Sequence, residues 1–314
     1  MYRIERCPCC LERMDETCPA LVAPFIGERV LGGPTVTCAL ATCPACGFRC
    51  FDARFDEQEM GRLYQGYRGE AYYQVRHRWE PWYRRSTNVG LSEDPDELRT
   101  RKANLFQIVS GCLGGQAPAR ILDYGGDRGQ FIPEAWNAER FVYEVSGREP
   151  LPGIRAITDL EGATFDLVML CQVLEHLPEP SAQLEIAAGL VGPAGTLYVE
   201  VPLERPELRW AGSRPWTRAG LRWLAGHPWL LRAVDLYSTY FRIRKGIIPP
   251  LGFLKASEHI NFFTPQSLEA LMSRMGFQVL VCQALPIKGA YMDGAVLGCV
   301  ARRAPGQGPD GGRP

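Results

Sequence analysis

From residue 119 onward, short apolar runs alternate with glycine-bearing loops and with stretches of helical period. The runs are 119–123 (ARILD), 140–145 (RFVYEV), 165–170 (FDLVML) and 195–202 (GTLYVEVP). Apolar runs of this length bounded by turn residues mark strands buried on both faces, and strands alternating with helices predict a parallel sheet covered on both sides. Helices are predicted over 181–190 and from Gln130, directly after the first glycine loop. Asp94-Pro-Asp-Glu97 ahead of 98–113 reads as a capped helix start with acids in its first turn. The fold class expected is α/β, a doubly wound, mostly parallel sheet.

The residues ahead of this pattern behave differently. Residues 1–54 hold eight of the twelve cysteines and few large apolar side chains. So small a segment buries little surface, and a bound metal would supply folding free energy that its core cannot. Cys7-Pro-Cys-Cys10 and Cys43-Pro-Ala-Cys46 each have the two-residue spacing of a zinc knuckle, with Gly47 suited to the turn that follows. Zn2+ on Cys7, Cys10, Cys43 and Cys46 is the expectation, and Cys9, Cys18, Cys38 and Cys50 are then spare thiols. A different ligand set, or a metal-free cysteine-rich loop, stays open because the gap between the pairs exceeds that of a compact ribbon. Residues 55–115 read as a helical connecting segment rich in Tyr, Arg and Glu, in which Tyr67 and Tyr72 can line a pocket. Residues 116–303 form the expected catalytic domain, with an insertion at 203–257, and the Pro- and Gly-rich tail 304–314 is expected to be disordered.

The first strand ends in Asp123 and runs into Tyr124-Gly125-Gly126-Asp127-Arg128-Gly129. Glycines let a backbone approach a ligand closely, and an acid at a strand end can face a charged ligand group, so the turn suits a nucleoside cofactor. Glu144 ends the next strand about 20 residues later, where a carboxylate can take both ribose hydroxyls. The turn does not spell the G-x-G-x-x-G of nicotinamide enzymes.

On these residues the chain resembles class I S-adenosylmethionine-dependent methyltransferases over about residues 118–302. Asp123 to Gly129 is similar to the family's glycine turn, Glu144 to its ribose-binding acid, and Asp159-Leu160 to the pair beside the adenine. Phe165-Asp-Leu-Val and Val173-Leu-Glu175-His176-Leu-Pro178 resemble the fourth strand and the loop after it, a loop that opens at Cys171. His259-Ile-Asn-Phe-Phe-Thr264-Pro-Gln-Ser267 followed by Met275-Gly-Phe277 resembles the late helix leading to the sixth strand. The resemblance implies S-adenosyl-L-methionine bound by Asp123, Gly125, Gly126, Gly129, Glu144, Asp159, Leu160 and Cys171. Asp127 stands where a glycine is usual.

Methyl transfer is a direct displacement, so the protein aligns the acceptor and, where needed, removes its proton. His176 and His259 each follow a glutamate in loops expected at strand ends. Glu258-His259 is the leading candidate, with Tyr72 a further acceptor-site residue. The layout is similar to sugar C-methyltransferases that carry a four-cysteine zinc segment and use a glutamate-histidine pair here, which implies a sugar, nucleotide-sugar or glycan-precursor acceptor.

Charge refines the list of partners. Lys+Arg and Asp+Glu both total 35, so the whole chain offers no electrostatic footprint for nucleic acid. The insertion is locally basic and carries Trp210, Trp216, Trp223 and Trp229. It reads as a lid over a phosphate-bearing substrate, as amphipathic helices making peripheral membrane contact through 205–257, or as a plain helical cap. With no secretory signal or membrane span legible, a cytoplasmic location is expected. Competing readings are an RNA methyltransferase gripping a stem-loop with its cysteine segment, and a non-catalytic adaptor with a degenerate cofactor fold.

Overall fold

The computed structural model describes residues 1–33, 35–90, 93–204, 218–289 and 294–304. These fall into two compact units, one within 1–7, 12–89 and 204–262, the other within 8–11, 90–203 and 263–314.

The second unit is built on a seven-stranded sheet. Its strands are β1 (Arg120–Tyr124), β2 (Glu139–Tyr143), β3 (Arg155–Ala156), β4 (Phe165–Cys171), β5 (Val191–Pro202), β6 (Phe277–Ile287) and β7 (Gly294–Arg303). The order across the sheet is β6-β7-β5-β4-β1-β2-β3. β1 to β5 pair in parallel, and β7 runs antiparallel to both β5 and β6. The doubly wound, mostly parallel α/β sheet expected from the sequence is therefore present. The chain leaves β1 in one direction for β2 and β3 and returns on its other side as β4, which puts the topological switch between β1 and β4, where such sheets bind ligands.

Apolar faces hold the layers together. Leu105, Ile108 and Val109 of the Pro95–Cys112 helix join Ile121, Leu167, Met169 and Val300 of the sheet in one core. Asp94 caps that helix by accepting from the N–H groups of Asp96 and Glu97, as its position before Pro95 predicts. Thr264 caps the Pro265–Arg274 helix in a reciprocal box with Ser267.

One predicted element is absent. The residues after Gly129 form turns rather than a helix starting at Gln130. Pro133 lacks an N–H and drives Ile132 out of helical backbone, and Asn137 is already close to β2. Trp136 and Phe131 nonetheless enter the core from these turns.

The other unit is a five-stranded sheet in the order Leu254–Ala256, Asp15–Val22, Thr37–Thr42, Arg49–Phe51, Asn261–Phe262. Leu254–Ala256 pairs in parallel with Asp15–Val22, Lys255 opposite Leu21, while Asn261 pairs antiparallel with Cys50. Leu254–Ala256, read from sequence as part of an insertion, and Asn261–Phe262, read from sequence as part of the catalytic domain, thus form the two edges of an N-terminal sheet. Leu221, Leu224 and Leu231 of the Arg218–Ala225 and Pro228–Lys245 helices pack with Leu21 and Phe253. Trp210, Trp216 and most of the tail lie outside the described residues.

Candidate functional site

Three constellations carry chemistry. The first lies at the C-terminal end of β1. Asp123 is fully buried and neither carboxylate oxygen has a hydrogen-bond partner. Its carboxyl lies against Gly126, where a Cβ would come within 2.2 Å of Asp123 Cγ, so only glycine fits. Burial pushes the Asp123 carboxyl up to about 8; Arg101 opposes that rise, and Glu144, Glu200 and Asp127 reinforce it. A buried acid kept without a partner at a ligand-binding strand end calls for a donor from outside the protein.

Glu144 follows β2. Its Oε2 accepts from the N–H of Asp127 at 2.9 Å and its Oε1 from the N–H of Ser146 at 2.8 Å. A carboxylate offers about four lone-pair sites, so two remain to accept from a diol. Asp127 has φ of 54°, the left-handed region a glycine would take, and Asp is among the few side chains that tolerate it. Its charge is met by Arg148 at 2.6 Å, which also binds Glu93 at 3.0 Å. The loop thus keeps the backbone that glycine would give.

Gly125 donates its N–H to Tyr143 O at 2.8 Å, and a Cβ on Gly129 would meet Ile154 Cδ1 at 2.7 Å. Asp159 lies on the exposed stretch after β3, its Oδ1 accepting from the Glu161 N–H, with half-buried Leu160 beside it. Cys171 is buried at the end of β4, opposite Glu200 of β5.

Sequence reasoning missed the pair beneath this cradle. Arg101, 3% exposed, donates from Nε to Glu200 Oε1 at 2.8 Å and from Nη1 to Glu97 Oε1 at 3.2 Å, while Tyr198 Oη donates to Glu200 Oε2 at 2.9 Å. The signal was available: Glu200 interrupts the apolar run TLYVEVP, and a charge inside a buried strand needs a partner.

The second constellation is the cysteine cluster. The Sγ atoms of Cys7, Cys10, Cys43 and Cys46 all lie within 4.8 Å of one another, and those of Cys7 and Cys46 are 3.5 Å apart. Tetrahedral Zn2+ with Zn–S of about 2.3 Å places thiolates about 3.8 Å apart, so the donor set fits that ion. Both knuckles fold alike. Cys7 donates its N–H to Glu12 O and Cys43 to Phe48 O, each at 2.8 Å, and Leu11 and Gly47 after the second cysteines both have positive φ. Cys9, Cys18, Cys38 and Cys50 are buried and stand outside this cluster.

The third lies in the unit that holds Tyr72, Glu258 and His259, while His176 belongs to the other unit. Tyr72 Oη donates to Glu258 Oε1 at 2.6 Å. Arg76 Nη1 donates to Glu258 Oε2 at 2.8 Å and to Tyr72 Oη at 2.5 Å. Burial and the Glu258 charge hold the Tyr72 hydroxyl well above its ordinary range, so it stays protonated and fixes the carboxylate. His259 Nδ1 lies 3.0 Å from Glu204 Oε2, a distance that suits an Nδ1 proton donated to that carboxylate. Lys255 Nζ lies 2.8 Å from Glu80 and 3.1 Å from Asp235. Burial alone would raise Glu80, but Lys255 and Arg76 override it and hold its carboxyl down at about 2.

A cavity of about 480 Å³ opens among these groups, lined by Arg76, Glu204, Arg242, Lys255, Glu258 and His259. Arg76 and Glu80 are a local pair four residues apart, but their partners Glu258 and Lys255 come from a distant segment and gave no sequence signal. In the other unit, His176 Nε2 lies 3.8 Å from Glu175 Oε1 in the turn after β4.

Comparison with known proteins matches residues 97–281 to the family described as a methyltransferase domain. Over 94 residues the chain is 32% identical to the ubiquinone biosynthesis O-methyltransferase of Xylella fastidiosa (strain M23), a stretch covering 28% of this chain and 38% of that relative. The chain therefore spans well under half of that curated protein. Solved structures similar to it include a 1,6-didemethyltoxoflavin-N1-methyltransferase of Burkholderia thailandensis with bound S-adenosylhomocysteine, at 16% identity and a TM-score of 0.46, covering 85% of this chain and 96% of that one. A magnesium protoporphyrin IX methyltransferase of Synechocystis PCC 6803 is similar at 15% identity and a TM-score of 0.38, covering 72% and 93%.

Proposed function

Because the chain belongs to the methyltransferase-domain family, we propose that it transfers a methyl group from S-adenosyl-L-methionine to a small molecule, a phosphate-bearing sugar, nucleotide-sugar or glycan precursor. The observation that carries the cofactor reading is the buried, unpartnered carboxyl of Asp123 pressed on Gly126 at the end of β1. When bound, the cofactor supplies an electrophilic methyl group on a sulfonium. Asp123 and Glu144 hold it by accepting hydrogen bonds, Gly125, Gly126 and Gly129 give it room, and Asp159, Leu160 and Cys171 complete its surroundings.

On the acceptor side, the cavity offers Arg76, Arg242 and Lys255 for an anionic group and Glu258 and His259 for a hydroxyl or a proton. Tyr72 positions Glu258, and His259 Nε2 is the basic atom for a leaving proton. His176 is a second candidate base. Zn2+ on Cys7, Cys10, Cys43 and Cys46 has a structural role, closed to substrate by four thiolates.

Calorimetric titration of the zinc-replete protein with S-adenosylmethionine, beside Glu144→Ala, tests the reading. Micromolar binding that the variant loses supports it, and no binding by the wild type removes it. Methyl-labelled cofactor given with nucleotide-sugar and RNA pools then tests the acceptor: label in RNA alone replaces the sugar reading with the nucleic-acid one.

A further inference from the structure

The Pro228–Lys245 helix has two faces of opposite character. Its inner face carries Leu231, Asp235, Ser238 and Thr239, all buried. Its outer face carries Trp229, Ala233, Leu236, Tyr240 and Ile243, spaced four, three, four and three residues apart, which keeps them on one stripe. Apart from the half-buried Leu236, that stripe is exposed where a core would be apolar: Trp229 is 74% exposed, Tyr240 58% and Ile243 57%. Trp223 on the preceding helix and Leu251 just beyond are exposed as well.

The charge around the stripe has one sign. Between residues 218 and 251 the cations are Arg218, Arg222, Arg232, Arg242, Arg244 and Lys245, and the single acid is Asp235. Asp235 is buried against Lys255 at 3.1 Å and offers nothing to an outside partner. Arg232 and Arg244 flank the stripe on its two sides.

We propose that this face docks the protein on an anionic phospholipid surface. Aromatic and aliphatic side chains entering the headgroup region, edged by arginines that meet lipid phosphates, are what an interfacial helix requires. A second copy of the chain is the other occupant an apolar stripe invites, but pairing two such helices would set arginine against arginine with no acid to answer it. Among the described residues no helix is long and apolar enough to cross a membrane, so the contact is a surface one. The inference stands independently of the methyl acceptor.

Co-sedimentation of the full chain with large unilamellar vesicles tests it. Vesicles of phosphatidylcholine with about one third phosphatidylglycerol should bind the protein, and pure phosphatidylcholine should bind it far less. Each arginine near an anionic surface contributes about fivefold to partitioning, so Arg232→Ala with Arg244→Ala should weaken binding about 25-fold. Trp229→Glu should abolish it while leaving the circular dichroism spectrum unchanged, because Trp229 is solvent-facing. Equal binding to neutral and anionic vesicles, no binding to either, or a lipid-free dimer that Trp229→Glu dissociates would each overturn the proposal.

Discussion

Asp123→Asn isolates the electrostatic cost built into the cofactor cradle. In the folded chain burial pushes this carboxyl up to about 8, against an ordinary value of 3.8. Below about pH 4 both folded and unfolded chains hold the proton and the group costs nothing. Above that the unfolded chain releases it while the folded chain keeps it until about pH 8. Each pH unit in this window therefore lowers the unfolding free energy by about 1.4 kcal/mol, or about 2.7 kcal/mol between pH 5 and pH 7. Asn keeps the shape and cannot ionise, so its stability lacks this slope. Urea unfolding of both proteins at pH 5, 6 and 7 without cofactor, followed by circular dichroism, reads the difference directly, since every other titrating group is shared. The variant's advantage over wild type should grow by about 2.7 kcal/mol across the window. Parallel pH profiles would show that Asp123 is ionised in the folded chain, and the account of an unpartnered buried acid would fall.

Gly126→Ala should destabilise the chain by about 1–3 kcal/mol through overpacking on Asp123 and cost most of the cofactor affinity, measurable by urea unfolding and calorimetry on the same preparation. Arg101→Met leaves Glu200 buried without its cation and should cost about 3–5 kcal/mol, whereas a loss under 1 kcal/mol would mean Tyr198 alone suffices. Metal analysis should find one zinc per chain in the wild type and none in Cys43→Ser, with a matching drop in Tm; Cys18→Ser should retain the metal.

Much of the sheet was legible because strands buried on both faces cannot hide: 165–170 is almost wholly apolar, and the Asp94 and Thr264 caps sit one residue before a proline that can only open a helix. The turns after Gly129 were not legible from periodicity, since Phe131, Ile132 and Trp136 mimic a helical face and only Pro133 argues against one. The two cysteine pairs were legible by spacing, and their thiols converge. What the sequence hid were partnerships formed at long range. Arg101 with Glu200, and Lys255 with Glu80, span 99 and 175 residues, and no local pattern encodes which distant charge will answer a buried one. The sharing of one sheet by residues 15–22 and 254–256 was hidden for the same reason.

That shared sheet constrains the order of events on the ribosome. The strands Asp15–Val22 and Arg49–Phe51 leave the exit tunnel early, but their edge partners Leu254–Ala256 and Asn261–Phe262 are made about 200 residues later. At roughly 5–20 residues per second the nascent chain carries two open sheet edges for about 10–40 s. A metal-clamped N-terminus would hold the early strands in register during that interval, and a chain truncated before residue 254 would leave both edges open for good, as templates for pairing with other copies.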